Sequence, residues 1–352
     1  MFEVLSEHHL VALIGLGSGV LLGLAARLGR FCTLGAIEDL LYGGSDLRMR
    51  MWGIAIGIAI LGSFGLMSAG FFAPSDSYYL SIRWMPMASI FGGLAFGYGM
   101  ALAGNCGYGA VARLGGGDLR SFVIVLVMGV STYVVLAGPL APLRAALFPQ
   151  QEVMSATPPG IAHQLGRFTN VPAAPIGMVL GIVLLAGSLA SRGLWAKPKQ
   201  IFWAAMVGLG VVLAWAGTAW VARTGFEGLP VVSHSFAAPL GDSILWWMTG
   251  SVRPLSFAVG SVAGVWAGAF LGSLIKGHFR WEACEDPREL RRQILGAALM
   301  GGGAVIAMGC TIGQGLSAFS VLAFSAPVTM AAIFAGAALG LRQLIVGFQP
   351  AE

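Results

Sequence analysis

Nine apolar stretches of roughly 20 residues recur along this chain, at 10–29, 50–72, 86–104, 119–141, 173–191, 201–222, 255–276, 292–309 and 325–347. Each is long enough for a helix to cross a bilayer. The expected fold is therefore an all-α polytopic membrane protein with about nine spanning helices plus short re-entrant or broken ones. Composition agrees, since 57% of the 352 residues are apolar and only 10% are charged. Residues 1–10 carry Glu3 and Glu7 but no Lys or Arg. They lack the basic region of a cleavable signal peptide, so the first helix is expected to be retained.

Orientation follows from the basic residues, because Lys and Arg collect in short cytoplasmic loops. With the N-terminus outside, 14 of the 20 Lys and Arg fall inside, from Arg27 and Arg30 through Lys276 to Arg292. The expected setting is a bacterial inner membrane, with the N-terminus periplasmic and the C-terminus cytoplasmic. The net charge of +5 then reflects topology. It implies no nucleic-acid partner, since the basic residues are spread over loops with no aromatic-studded face.

Three of the four cysteines share one local pattern: Cys32-Thr-Leu-Gly35, Cys106-Gly-Tyr-Gly109 and Cys310-Thr-Ile-Gly313. Each closes an apolar, Gly-rich segment and opens a stretch long enough for only a few helical turns. A broken helix inside a membrane exposes unpaired backbone N–H groups, and such groups attract anions. Gln314 follows the third motif, Arg30 precedes the first and Arg113 follows the second. The two arginines either gather anions at the cytoplasmic mouth or anchor helix ends. Glu38 and Asp39 follow Cys32, and their expected partners are Arg48 or Arg50.

The bland readings are close helix packing for the glycines and a small buried apolar role for each cysteine. Three matched contexts, each followed by a polar break, favour a shared function. There is no C-x-x-C pair of the kind that redox exchange or metal binding uses, and no cofactor, metal or catalytic group is assigned. Cys284, in the charged loop Trp281-Glu-Ala-Cys284, has no assigned role. His234 is expected at the interface, in an outer loop that could dip back as the partner of the Cys32 region. Trp203, Trp215, Trp220, Trp246 and Trp247 fit an interfacial belt.

Sliding residues 92–109 by 204 positions onto 296–313 aligns Gly92, Gly97, Gly99, Ala103, Cys106 and Gly109 with identical residues. The two segments are the third and eighth expected helices, so they cross in opposite senses. The expected organisation of 1–352 is one transport domain built as an inverted repeat, with halves at about 10–141 and 201–347 joined by 142–200. Transporters of that design bind substrate near the midplane on discontinuous helices.

Arg27-Leu-Gly-Arg30-Phe31-Cys32, Gly104-Asn-Cys106-Gly-Tyr-Gly109 and Gly309-Cys310-Thr-Ile-Gly313-Gln-Gly315 resemble the three cysteine motifs of the YeeE/YedE sulfur-transport family. The resemblance covers nearly the whole chain. It implies uptake of thiosulfate into the cytoplasm, the ion being handed along Cys32, Cys106 and Cys310 by S–H hydrogen bonds without a covalent intermediate. It also implies a cytoplasmic sulfur-carrier protein as partner, docking on the loop between Lys276 and Arg292. Asn105 departs from the Gly that many members carry there, which leaves open a selenium compound as the substrate. A membrane thiol enzyme transferring sulfur at Cys310 or Cys106 remains an alternative, although no His lies near the motifs in sequence. A third is a scaffold subunit whose glycines only pack helices.

Overall fold

In the computed structural model, residues 6–151, 158–283 and 286–346 are described, and Cys284 lies outside them. Among the described residues the chain forms helices and no strand. A first set comprises α1 (Glu7–Leu28), α2 (Thr33–Leu41), α3 (Leu47–Ser68), α4 (Pro86–Ala103), α5 (Gly107–Leu114) and α6 (Leu119–Leu136). Then come α7 (Ala173–Leu189), α8 (Pro198–Thr224), α9 (Ala238–Thr249), α10 (Phe257–Ile275), α11 (Pro287–Ile306), α12 (311–320) and α13 (Ser325–Val346). The middle of α12, Gly313–Ala318, is wound as a π-helix.

A helix stands at each of the nine apolar stretches, and seven helical segments among the described residues are long and apolar enough to cross a membrane. The other two fall short for physical reasons. α7 has 17 residues, about 26 Å at 1.5 Å per residue, against a hydrocarbon core of about 30 Å. The first turns of α11 carry Arg288, Glu289, Arg291 and Arg292.

Glycine rows hold the long helices together. Gly15, Gly19 and Gly23 of α1 face Gly260, Gly264 and Gly268 of α10 in parallel register, and a Cβ on Gly15 would lie 2.5 Å from the Phe257 carbonyl oxygen. In water-free surroundings such contacts gain van der Waals packing that larger side chains would block. α4 and α11 cross in antiparallel register, and the contact is reciprocal. A Cβ on Gly99 would lie 2.5 Å from the Gly296 oxygen, and one on Gly296 would lie 2.5 Å from the Gly99 oxygen.

Neighbour relations recur through the chain. α1 packs on α10 as α8 packs on α3; α4 on α13 as α11 on α6; α2 on α13 as α9 on α6. The short α5 touches α1, α6 and α10, while α12 touches α8, α13 and α3. The short helices thus sit inside, among Trp52, Phe96, Met100, Met128, Trp215 and Phe236, all buried.

Candidate functional site

Each of the three cysteines follows a left-handed residue by two positions. These are Arg30 (φ 56°) before Cys32, Gly104 (φ 77°) before Cys106, and Met308 (φ 57°) before Cys310. For Arg30 and Met308 that conformation costs on the order of 1–3 kcal/mol and persists only where the surroundings impose it. Here it turns the chain sharply, so that α2, α5 and α12 each begin at the cysteine. Ala36, Ala110 and Gln314 donate to the carbonyls of Cys32, Cys106 and Cys310, at 3.1, 2.8 and 2.8 Å. The first-turn N–H groups before them have no intrahelical acceptor.

The cysteine sulfurs take up part of that donor capacity. The Cys310 sulfur accepts from the N–H of Gly313 at 3.4 Å and from the N–H of Phe236 at 3.2 Å, with the Ser235 hydroxyl 3.8 Å away. Gly109 lies beside the Cys106 sulfur, which stands 3.8 Å from where a Cβ on that glycine would be. Cys106 also interacts with the Thr311 side chain, with Cys32 and, more weakly, with Cys310. All three are free of disulfides, with Cys106 and Cys310 buried and Cys32 partly exposed.

The glycines of the motifs make room for different neighbours. A side chain on Gly35 would fall on the Arg48 guanidinium, and one on Gly313 would reach the Ser235 hydroxyl at 2.8 Å and the Tyr79 hydroxyl at 3.2 Å. On Gly109 it would crowd Asn105 at 3.3 Å. Arg48 binds Asp39 at 3.1 Å, so one of the two carboxylates after Cys32 has an expected partner. Gln314 donates its amide to the carbonyls of Ala307 and Met308, both at 3.0 Å. It satisfies the broken end of α11.

Two expectations change. His234 is fully buried, not interfacial: its Nδ1 pairs with the Ser261 hydroxyl at 2.6 Å and its carbonyl accepts from Ser317. The loop from Val231 to Phe236 does dip back, and it delivers the Phe236 N–H to Cys310. Trp215 is buried, donates to Ser320 at 3.0 Å and stacks on Phe72, because its neighbours are the core and not lipid.

A cavity of about 320 Å³ is lined by Tyr79, Trp215, Ser233, Ser235, Asp242 and Gly309 among others, and the Ser235 hydroxyl lies 3.8 Å from the Cys310 sulfur. Cys310 is 1% exposed and Cys106 0%. At the far ends of α1 and α5 the charge is positive. Lys276 donates to the Arg27 carbonyl at 2.5 Å and lies in the field of Arg30 and Arg27. Arg27 in turn lies near Arg113 and donates to Ser273 at 2.7 Å. Burial first, then the charges of Arg30 and Arg27, lower the proton affinity of Lys276. Arg30 and Arg113 thus belong to one group with Arg27 and Lys276, in which the carboxylates of Asp118 and Glu282 also act on Arg27.

Known proteins resemble this chain along most of its length. The thiosulfate transporter TsuA of Escherichia coli K12 is 28% identical over 325 residues, covering 86% of this chain and 86% of the relative. The thiosulfate transporter TsuA of Spirochaeta thermophila is 25% identical over 325 residues, covering 88% and 92%. The family model described as sulphur transport matches residues 14–339, a range that runs from within α1 to within α13 and holds all three cysteine turns, and the chain belongs to that family.

Proposed function

We propose that this chain carries thiosulfate, or a closely related sulfur-containing anion, across the bacterial inner membrane into the cytoplasm. The ion moves along a path on which the thiols of Cys32, Cys106 and Cys310 hydrogen-bond it without covalent chemistry. One observation carries the reading: three helix starts are each opened by a cysteine, Phe236 packs against both the Cys106 and the Cys310 turn, and Cys106 lies within electrostatic range of Cys32. The relatives' names, both thiosulfate transporters, support the substrate.

A divalent anion in hydrocarbon needs replacements for its water, since even one side-chain charge costs about 2.5–3.5 kcal/mol to insert. Helix starts offer N–H donors and the positive end of the dipole. Neutral thiols offer weak, polarizable donors suited to a terminal sulfur. Weak sites in series release the ion as readily as they bind it.

The architecture proposed for this task is an inverted repeat of nine crossings, α1–α6 against α8–α13. It is supported by the mirrored neighbour relations and by the reciprocal Gly99–Gly296 contact. The cavity at Ser235 is the periplasmic mouth, and the cluster of Arg27, Arg30, Arg113 and Lys276 is the cytoplasmic one, in keeping with basic residues on the inside. The cationic mouth draws the anion inward and adjoins the loop after Lys276, where a cytoplasmic sulfur carrier would dock.

The test is growth of a sulfur-auxotrophic host lacking its own uptake systems, on thiosulfate as sole sulfur source. The wild-type chain restores growth and Cys310→Ala does not. Growth restored equally by both rules out the thiol path, and a persulfide trapped on Cys310 or Cys106 during turnover replaces it with a covalent mechanism.

A further inference from the structure

Thr311 directly follows Cys310 and carries a buried hydroxyl with no hydrogen-bond partner. The residue is 0% exposed, and its Oγ1 has no hydrogen-bond partner beyond its contact with the Cys106 sulfur. The hydroxyls of buried Thr33, directly after Cys32, and of buried Thr329 also have no partner, whereas other buried threonines do. Thr132 and Thr218 donate to carbonyls four residues earlier, at 2.7 and 2.8 Å. For Thr311 that carbonyl belongs to Ala307, beyond the turn at Met308, and it accepts from Gln314. The break that frees the Cys310 sulfur therefore also strands a strong hydroxyl donor beside Cys106. A buried hydroxyl without an acceptor is costly, and such groups in native proteins mark a strained or functional place.

We infer that the Thr311 hydroxyl binds an oxygen of the anion while its terminal sulfur passes from the thiol of Cys310 to that of Cys106. The inference rests on the thiosulfate reading. Such an anion is chemically two-ended: a soft sulfur suits weak S–H donors, and hard oxygens suit an O–H donor at shorter range. Thr311 directly follows Cys310 in sequence and touches Cys106 in space, so one hydroxyl can hold the oxygen end across a step in which the sulfur end changes partner. It makes the path specific for an oxygen-bearing sulfur anion, a selectivity that three thiols alone do not supply.

The experiment is uptake of ³⁵S-thiosulfate by proteoliposomes containing the full chain, with KM and maximal rate measured for wild type, Thr311→Val, Thr311→Ala and Thr311→Ser. Losing one hydrogen bond to a charged ligand raises KM by about tenfold in Thr311→Val and Thr311→Ala. Thr311→Ser, which keeps the hydroxyl, stays within about threefold of wild type. Thr311→Val preserves shape and removes an unpaired polar group, so its thermal stability equals or exceeds that of wild type; Thr311→Ala guards against misfolding in either variant. Wild-type KM in both variants lacking the hydroxyl overturns the role of Thr311 while leaving the thiol path standing. Wild-type vesicles that accumulate no thiosulfate overturn the transport reading and this inference with it.

Discussion

The backbone N–H of Phe236 donates to the sulfur of Cys310 over 3.2 Å, and Phe236 stands 204 residues after Cys32, at the repeat offset that brings Cys106 onto Cys310. On the proposed inverted repeat, Phe236 stands where a fourth cysteine would and contributes its main chain instead. Together with Gly313 it gives the Cys310 sulfur two N–H donors in a buried site. Cys310→Ala strands both donors, at on the order of 1 kcal/mol each, whereas Cys310→Ser offers an oxygen in their reach. Thermal unfolding in detergent is expected to show Cys310→Ala less stable than Cys310→Ser, and the serine variant retains partial thiosulfate uptake.

Gly99 and Gly296 press against each other's carbonyls where α4 crosses α11. Gly99→Val or Gly296→Val forces the helices apart, costing about 1–3 kcal/mol by overpacking. Gly65 of α3 has open space where its Cβ would stand, and Gly65→Ala is expected to be neutral or to stabilise by up to about 1 kcal/mol. Melting temperatures of the three variants measure the contrast. Equal values would show that the crossing is loose.

Gln314 holds the frayed end of α11 through the carbonyls of Ala307 and Met308. Gln314→Leu has similar bulk but no donor. It leaves the buried carbonyl of Ala307 and the part-buried one of Met308 short of a partner, at about 1–3 kcal/mol in all, and loosens the turn that aims Cys310. The expected outcome is reduced stability and reduced uptake together, read by unfolding and by vesicle transport.

Much of this arrangement was legible in the sequence because its signals are local. Apolar length located α1, α3, α4, α6, α8, α10 and α13, and the Cys-x-x-Gly spacing located the starts of α2, α5 and α12. α9 left no such mark. It is 12 residues long, carries Gly241-Asp242-Ser243 and is preceded by Phe236 where a cysteine would have announced it. Main-chain donors such as the Phe236 N–H carry no residue-type signature, and only the 204-residue offset pointed toward that loop. The stranded hydroxyl of Thr311 was equally hidden. A Thr after a Cys is unremarkable until the turn at Met308 removes its acceptor.

Arg48 occupies the space that a side chain on Gly35 would need, and from there it binds Asp39 at 3.1 Å. Gly35→Ala is expected to push the guanidinium away from the Cys32 turn and break the pair. Both partners are about a third exposed, so the stability cost is small, roughly 0–1 kcal/mol. Uptake falls more than stability, because the positive charge leaves the neighbourhood of Cys32. Asp39→Asn, which frees Arg48 without moving Gly35, is expected to keep uptake near wild type.

The central claim is that one anion meets all three sulfurs in turn. The initial rate of ³⁵S-thiosulfate uptake by proteoliposomes containing Cys32→Ala, Cys106→Ala or Cys310→Ala tests it most directly. Each variant, monodisperse in detergent, is predicted to transport at least about tenfold more slowly than wild type. Wild-type rates in any one folded variant would contradict a path that runs through all three thiols.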